Sequence, residues 1–111
     1  MINYLEKLLK EVNIGVDYSG TDGTKTLDLS NMDKSKYAIV AIPYDRVKLT
    51  DDELKVYMFN AIVKIPLGNI ISLYAKHFIC LLDLDNPTSR FFKVDQDKLV
   101  IGEFYKIGGT N

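Results

Sequence analysis

Residues Tyr37 to Pro43 read YAIVAIP and contain no charged residue. A continuous apolar run of this length predicts a β-strand. Because no polar residues alternate with the apolar ones, we expect both faces of the strand to be buried, as at the centre of a sheet. The segment from Lys76 to Leu84, which is apolar without interruption from Phe78 to Leu82, predicts a second strand.

The segment before this strand predicts one helix and two short strands. Apolar residues at helical spacing, with Glu–Lys pairs four positions apart on the other side, predict an amphipathic helix over residues 2–12 that ends near Asn13. Two β-like runs follow at residues 14–18 and 24–29, joined by a turn rich in glycine, serine and aspartate.

The segment after Pro43 predicts a central helix. Thr50 to Glu53 (TDDE) has the pattern of a capping box, with a threonine N-cap and a glutamate at the third helical position. The helix would end at Pro66. One stripe of it would consist of Leu54, Tyr57, Met58, Ala61, Ile62 and Ile65.

The remaining sequence predicts one more helix and further strands. Residues 67–75 fit a helix and a short strand almost equally, and we favour a second short helix. A turn at 85–89 then leads to strands over 90–94 and 99–107.

Together these elements predict an α+β domain. An antiparallel sheet of five to six strands would pack against the N-terminal helix and one or two central helices. Residues 1–107 would form this single domain, and residues 108–111 a frayed tail.

Composition excludes several classes of protein. The chain has 111 residues, of which 47% are hydrophobic and 26% charged, as in ordinary globular domains. No apolar run approaches the roughly 20 residues of a membrane-spanning helix. The net charge of −1 argues against a dedicated nucleic-acid binder.

Two features suggest where the protein works. The N-terminus has no apolar stretch typical of a secretory signal, and the single cysteine, Cys80, cannot form an internal disulfide. We therefore expect a cytoplasmic protein. Ile, Lys, Asn and Tyr make up 37 of the 111 residues, a bias typical of a low-GC bacterium, its phage or another mobile element.

The string Ile79 to Thr88 (ICLLDLDNPT) raises the possibility of catalysis. A hydrophobic strand ending in Asp-x-Asp, with a threonine soon after, resembles the nucleophile motif of the haloacid dehalogenase phosphatases. The resemblance implies that Asp83 attacks phosphorus, that Asp85 acts as acid and base, and that Mg²⁺ bridges carboxylate and phosphate. It covers about ten residues, and only 26 residues follow Asp85. A turn that closes a hairpin is therefore the simpler interpretation.

Other metal or nucleophilic sites have weaker support. Asp83, Asp85, Asp95 and Asp97 could supply oxygen ligands from neighbouring strand ends, although acids are common in β-turns. A lone histidine and a lone cysteine, at positions 77 and 80, form neither a zinc site nor a nucleophile pair. We predict a core cysteine and no metal or other cofactor.

Basic residues beside aromatic ones support a nucleic-acid-binding alternative. Such residues occur near Tyr37, near Tyr44 and beside Phe91 and Phe92, and a dimer would bring them together. The near-neutral net charge weakens this alternative.

Recognition of another protein is the function that the sequence contradicts least. Tyr44 and Arg46 lie in a connection between elements, and Arg90 and Phe91 follow a turn; tyrosine and arginine are enriched in interface hot spots. We therefore expect a non-enzymatic accessory or inhibitory protein that binds a protein partner, with a homodimer as a further alternative. A nucleic-acid-binding factor ranks second and a metal-dependent hydrolase third.

Overall fold

The computed structural model describes residues 4–58, 61–86, 97–102 and 104–105, and these residues form a mostly β structure. Strands make up 52% of it, and one α-helix has at least seven residues. The helix is α1 (Tyr4–Glu11), and the strands are β1 (Gly15–Asp17), β2 (Lys25–Asp28), β3 (Tyr37–Pro43), β4 (Val47–Leu49), β5 (Glu53–Met58), β6 (Ala61–Pro66), β7 (Ile70–Tyr74), β8 (His77–Asp83) and β9 (Lys98–Ile101).

The strands form three antiparallel sheets of three strands each. Sheet A has the order β1-β2-β9, sheet B the order β3-β8-β7, and sheet C the order β4-β5-β6. This arrangement overturns the predicted α+β class and the predicted single sheet of five to six strands. The fold is built from three small sheets because sheet B is apolar on both faces and needs a covering layer on each.

Sheet B is the centre of the structure. Ile39 of β3 pairs with Leu81 of β8, and both side chains belong to a core cluster with α1 and sheet A. Val40 pairs with Cys80, and both belong to a second cluster with sheet C on the opposite face. The prediction of a strand at 37–43 that is buried on both faces is therefore confirmed, but its predicted central place is wrong, because β3 lies at the edge of sheet B and β8 at its centre. The strand predicted over 76–84 is confirmed as β8.

The N-terminal prediction is also confirmed. The helix buries Leu5 and Leu9 and ends where Asn13 adopts a left-handed backbone conformation with φ 61°. The amide of Ile14 then donates to the carbonyl of Leu9 at 2.9 Å, which closes the helix end. Strands β1 and β2 follow, joined by a turn in which Asp22 also has positive φ.

The helix predicted between Thr50 and Pro66 is wrong, because this segment forms the β5–β6 hairpin of sheet C. Burial alternates along both strands, so Val56 and Val63 are in the core although the predicted helical stripe omitted them. Tyr57 and Ile62, which that stripe placed inside, are exposed. β-branched residues favour the pleated strand over a helix.

The capping-box hydrogen bond itself is present, but it closes a turn. Thr50 Oγ1 accepts the amide of Glu53 at 3.2 Å, as it would at a helix N-terminus. In addition, the Thr50 amide donates to the Glu53 carbonyl at 2.9 Å, which makes the two residues the closing pair of the β4–β5 hairpin. The same local bond fits both structures, so tertiary packing decided between them.

The second helix, predicted over 67–75, is also wrong. Residues Leu67–Asn69 form a single 3₁₀ turn and Ile70–Tyr74 form β7. Strand β7 joins β8 through a two-residue turn, Ala75-Lys76, in which both residues have positive φ (52° and 62°). This is the geometry of a type I′ turn, which usually contains asparagine and glycine.

Several sequence predictions concern residues outside the described part of the chain. These are the strand over 90–94, most of the turn over 85–89 and the tail at 108–111. The strand predicted over 99–107 is observed in part, as β9, and Phe104 then forms an isolated bridge with Ser72 of β7.

Candidate functional site

The outward face of sheet C has an unusual row of like charges. The core-facing positions of β5 and β6 are buried against sheet B, so the alternate positions point away from it. Lys48 of β4 lies directly opposite Lys55 of β5, and Lys55 lies directly opposite Lys64 of β6. The three lysine side chains therefore project from neighbouring positions of one row that crosses the strands of the sheet.

Two large apolar residues adjoin this row. Tyr57 and Ile62 are cross-strand partners on the same outward face, two positions along from Lys55 and Lys64. Their side chains are 46% and 47% exposed, so about half of each surface is open to a ligand. We call the surface formed by Lys48, Lys55, Lys64, Tyr57 and Ile62 the lysine face.

No ion pair between described residues compensates the charges of the lysine face. The one ion pair found among these residues joins Lys34 Nζ to Asp97 Oδ1 at 2.9 Å, and neither residue belongs to sheet C. Like charges directly opposite each other destabilise a sheet. The lysine row therefore opposes folding, and binding of an anion would relieve the repulsion.

Acidic residues lie at the turn end of the lysine face. Glu53 occupies the outward position next to Lys55, on the side away from Tyr57, and pairs with Pro66. Asp51 and Asp52 form the adjoining turn, where Asp52 Oδ1 accepts the hydroxyl of Thr50 at 3.0 Å. The face is thus polarised, with carboxylates at the turn end, lysines in the middle and apolar side chains beyond them.

Two of the predicted partner-binding residues lie beside this face. Tyr44 and Arg46 belong to the 3₁₀ turn Tyr44–Arg46, which leads into β4 and contacts β5. Arg46 is exposed. The Tyr44 ring packs against Phe78, with 4.7 Å between the ring centroids, and is 42% exposed. The other two predicted residues, Arg90 and Phe91, lie outside the described part of the chain.

The basic and aromatic group near Tyr37 does not form a comparable surface. Lys34 is paired with Asp97, and Tyr37 packs against the core cluster beneath α1. A separate group around Tyr18 is satisfied internally, because its hydroxyl donates to Glu6 Oε1 at 3.1 Å and Lys25 Nζ lies 5.2 Å from the Phe104 ring centroid.

Asp83 and Asp85 lie at the end of β8, where the chain turns. Asp83 Oδ1 accepts the amide of Asp85 at 2.9 Å, so this carboxylate stabilises the turn. Two hollows of about 260 Å³ and 230 Å³ adjoin Asp83 and share Asn69 and Leu81 in their walls. The Asn69 amide already donates to the Leu81 carbonyl at 2.9 Å.

Lys64 also lines the hollow of about 260 Å³ and Glu11 that of about 230 Å³, whereas the histidine lies elsewhere. His77, the single histidine of the chain, pairs with Tyr74 and Pro43 at the opposite end of β8 from Asp83. Over the described residues, no group of three or more histidine, cysteine or acidic side chains is arranged to hold a metal ion.

Cys80 is a core residue, as predicted from its sequence neighbours. It is fully buried between sheets B and C, and burial raises the pKa of its thiol to about 12. Because thiolate is the reactive form, a thiol with this pKa is inert near neutral pH. His77 points to the other face of β8, so the two residues cannot act together.

Sequence reasoning missed the lysine face because three strands had to be placed in register to reveal it. Lys48, Lys55 and Lys64 are separated by seven and nine positions, and no periodic pattern links them. An alternating interpretation of 53–66 would have placed Lys55, Tyr57, Ile62 and Lys64 on one face. The capping box and the helical stripe concealed that alternation.

Comparison of the chain with protein-family models, with curated proteins and with solved structures gives no match. In the described part of the chain, no helix is both long and apolar enough to cross a membrane.

Proposed function

We propose that the protein is a non-enzymatic binding protein that recognises a polyanionic partner through the lysine face. The observation that supports this most is the direct cross-strand alignment of Lys48, Lys55 and Lys64, none of which forms an ion pair with another described residue. A feature that opposes folding is explained if it serves binding.

The net charge of −1 does not conflict with this proposal. Net charge describes the whole molecule, whereas association with an anion depends on the local potential. Acidic residues elsewhere, such as Asp17, Asp28 and Asp33, bond to nearby serines in turns of their own. The positive potential of the lysine face is therefore local.

The proposal modifies the partner-binding surface expected from the sequence. Arg46 borders the lysine face and can extend it, whereas Tyr44 is partly used in packing against Phe78. We further propose a cytoplasmic location, which the burial of the single cysteine supports, and an origin in a low-GC bacterium or mobile element, which the amino-acid bias supports.

Retention on immobilised heparin tests the proposed function. The triple variant Lys48→Gln/Lys55→Gln/Lys64→Gln removes three charges from the lysine face. The matched control Lys7→Gln/Lys10→Gln/Lys98→Gln removes three exposed charges from α1 and sheet A. Both variants have the same net charge, and circular dichroism establishes that both are folded.

We expect the wild type and the control to elute at similar salt concentrations and the lysine-face variant to elute clearly earlier, because fewer counterions are exchanged. Co-elution of the two variants would contradict the proposal, since retention would then depend on total charge alone.

A further inference from the structure

We infer that the ligand of the lysine face is a single-stranded nucleic acid, bound with its phosphates along the lysine row and a base on Tyr57. This inference rests on the proposed function and adds the class of the partner to it. Four features of sheet C lead to it.

The first feature is the type of cation. The three aligned residues are lysines, whose compact ammonium groups bind phosphate as point charges. Recognition of the carboxylates of an acidic protein favours the planar fork of arginine, and Arg46, the arginine within the described part of the chain, lies at the margin. A row of lysines suits a phosphate backbone without reading its sequence.

The second feature is the exposed ring of Tyr57. Proteins that bind single strands stack bases on aromatic side chains that lie beside a positively charged track. Tyr57 is 46% exposed on the same face as the track, and Ile62 opposite it extends the apolar surface. In a duplex the bases are stacked on one another, so a ring on an open sheet face has no access to them.

The third feature is the distance between the two parts of the face. Tyr57 and Ile62 lie two strand positions from the lysine row, which corresponds to about 7 Å along the strands. A nucleotide whose phosphate contacts the row can therefore place its base over the apolar pair.

The fourth feature is polarity. Glu53 and the turn acids Asp51 and Asp52 lie on the other side of the lysine row. Their charges repel phosphate from the turn end, so a bound strand directs its bases toward Tyr57. The row spans about 10 Å across three strands, so one copy contacts only a few nucleotides and binds weakly, in the range of about 10⁻⁴ to 10⁻⁶ M.

Fluorescence anisotropy tests the inference with three probes: a labelled oligothymidine of about 12 nucleotides, a duplex of the same length, and polyglutamate. Four proteins are compared with the wild type. These are the lysine-face triple variant, the matched α1 and sheet A control, Tyr57→Thr, which removes the ring but retains a strand-forming residue, and Tyr57→Phe, which retains the ring.

We expect the wild type to bind oligothymidine more tightly than duplex or polyglutamate. Tyr57→Thr should weaken oligothymidine binding by roughly 5- to 150-fold, and Tyr57→Phe should bind like the wild type. With three phosphate contacts, the slope of log affinity against log salt should be about −2 for the wild type and near zero for the lysine-face triple variant. Wild-type affinity should fall roughly twentyfold between about 50 and 200 mM salt.

The outcomes separate this inference from the proposed function. If the lysine-face variant loses binding but Tyr57→Thr does not, and duplex or polyglutamate binds as tightly as oligothymidine, the partner is another polyanion and the inference is overturned alone. If the lysine-face variant binds every probe as the matched control does, both the inference and the proposed function are wrong.

Discussion

Replacing Lys55 with glutamate should make the protein more stable and less able to bind. Lys55 is the middle residue of the lysine row and lies directly opposite two other lysines. The substitution Lys55→Glu converts two repulsive cross-strand pairs into two attractive ones, each worth roughly 0.2–1 kcal/mol. Glu53, two positions away on the same face, would repel the new carboxylate and offset part of this gain.

We therefore expect the free energy of unfolding to rise by about 1 kcal/mol, with a melting temperature higher by roughly 4 °C. Urea unfolding at two ionic strengths measures the change. The screening length is about 30 Å at 0.01 M salt and about 3 Å at 1 M salt, whereas adjacent strands are about 5 Å apart. The gain should consequently be present at low salt and largely absent at high salt.

Sheet A provides a control of opposite sign. Lys98 of β9 lies directly opposite Asp28 of β2, so Lys98→Glu replaces an attractive pair with a repulsive one and should destabilise the protein. If Lys55→Glu lowered stability at low salt, or if its effect were unchanged at high salt, the claim that repulsion between the aligned lysines destabilises the fold would be refuted.

Local geometry also determines how the turns and the buried thiol respond to substitution and to pH. Replacing Ala75-Lys76 by Asn-Gly should raise the free energy of unfolding by about 1 kcal/mol in a urea titration, because both residues have positive φ; a loss of stability would contradict the type I′ turn. The Cys80 thiol should resist alkylation in the native protein and react in urea; rapid native labelling would argue against burial. Folding raises the pKa of this thiol from 9.0 to about 12, so the wild type should lose more stability than Cys80→Ala as pH rises through that range. Hydrogen bonds from Ser19, Ser30 and Ser35 lower the pKa of Asp17, Asp28 and Asp33 below 3.8. The three carboxylates therefore stabilise the fold above that pH, and this stabilisation is lost as pH falls through the folded pKa values. In an acid titration, the triple Ser→Ala variant should lose less stability than the wild type.

The sequence predicted the parts of the fold in which local pattern and burial agree. The run from Tyr37 to Pro43 is apolar on both sides, and only a strand between two layers satisfies it. Helix α1 was predictable because its apolar stripe and its left-handed end at Asn13 are local features.

The sequence misled where one local signal is compatible with two structures. The Thr50–Glu53 hydrogen bond serves a helix cap and a hairpin turn equally well. Tyr57 and Ile62 are apolar although they lie on the exposed face of sheet C. Strands β5 and β6 therefore have apolar residues on both faces, and their sequence resembles the apolar stripe of a helix. In the β7–β8 turn, Ala75 and Lys76 give no sequence signal for positive φ.

The candidate site could not be predicted for a related reason. Each lysine of the row is an ordinary solvent-facing residue within its own strand. Only the register of β4, β5 and β6 places Lys48, Lys55 and Lys64 opposite one another, and register is set by core packing and turn length rather than by the lysines themselves.

Amide chemical shifts during titration with oligothymidine provide the most direct test of binding through the lysine face. We predict that the amides of β4, β5 and β6, those of Lys55, Tyr57 and Lys64 above all, shift progressively and saturate, while those of α1 and β1 stay unchanged. Shifts concentrated on α1 or sheet A, or no shifts at oligothymidine concentrations above about 10⁻⁴ M, would contradict it.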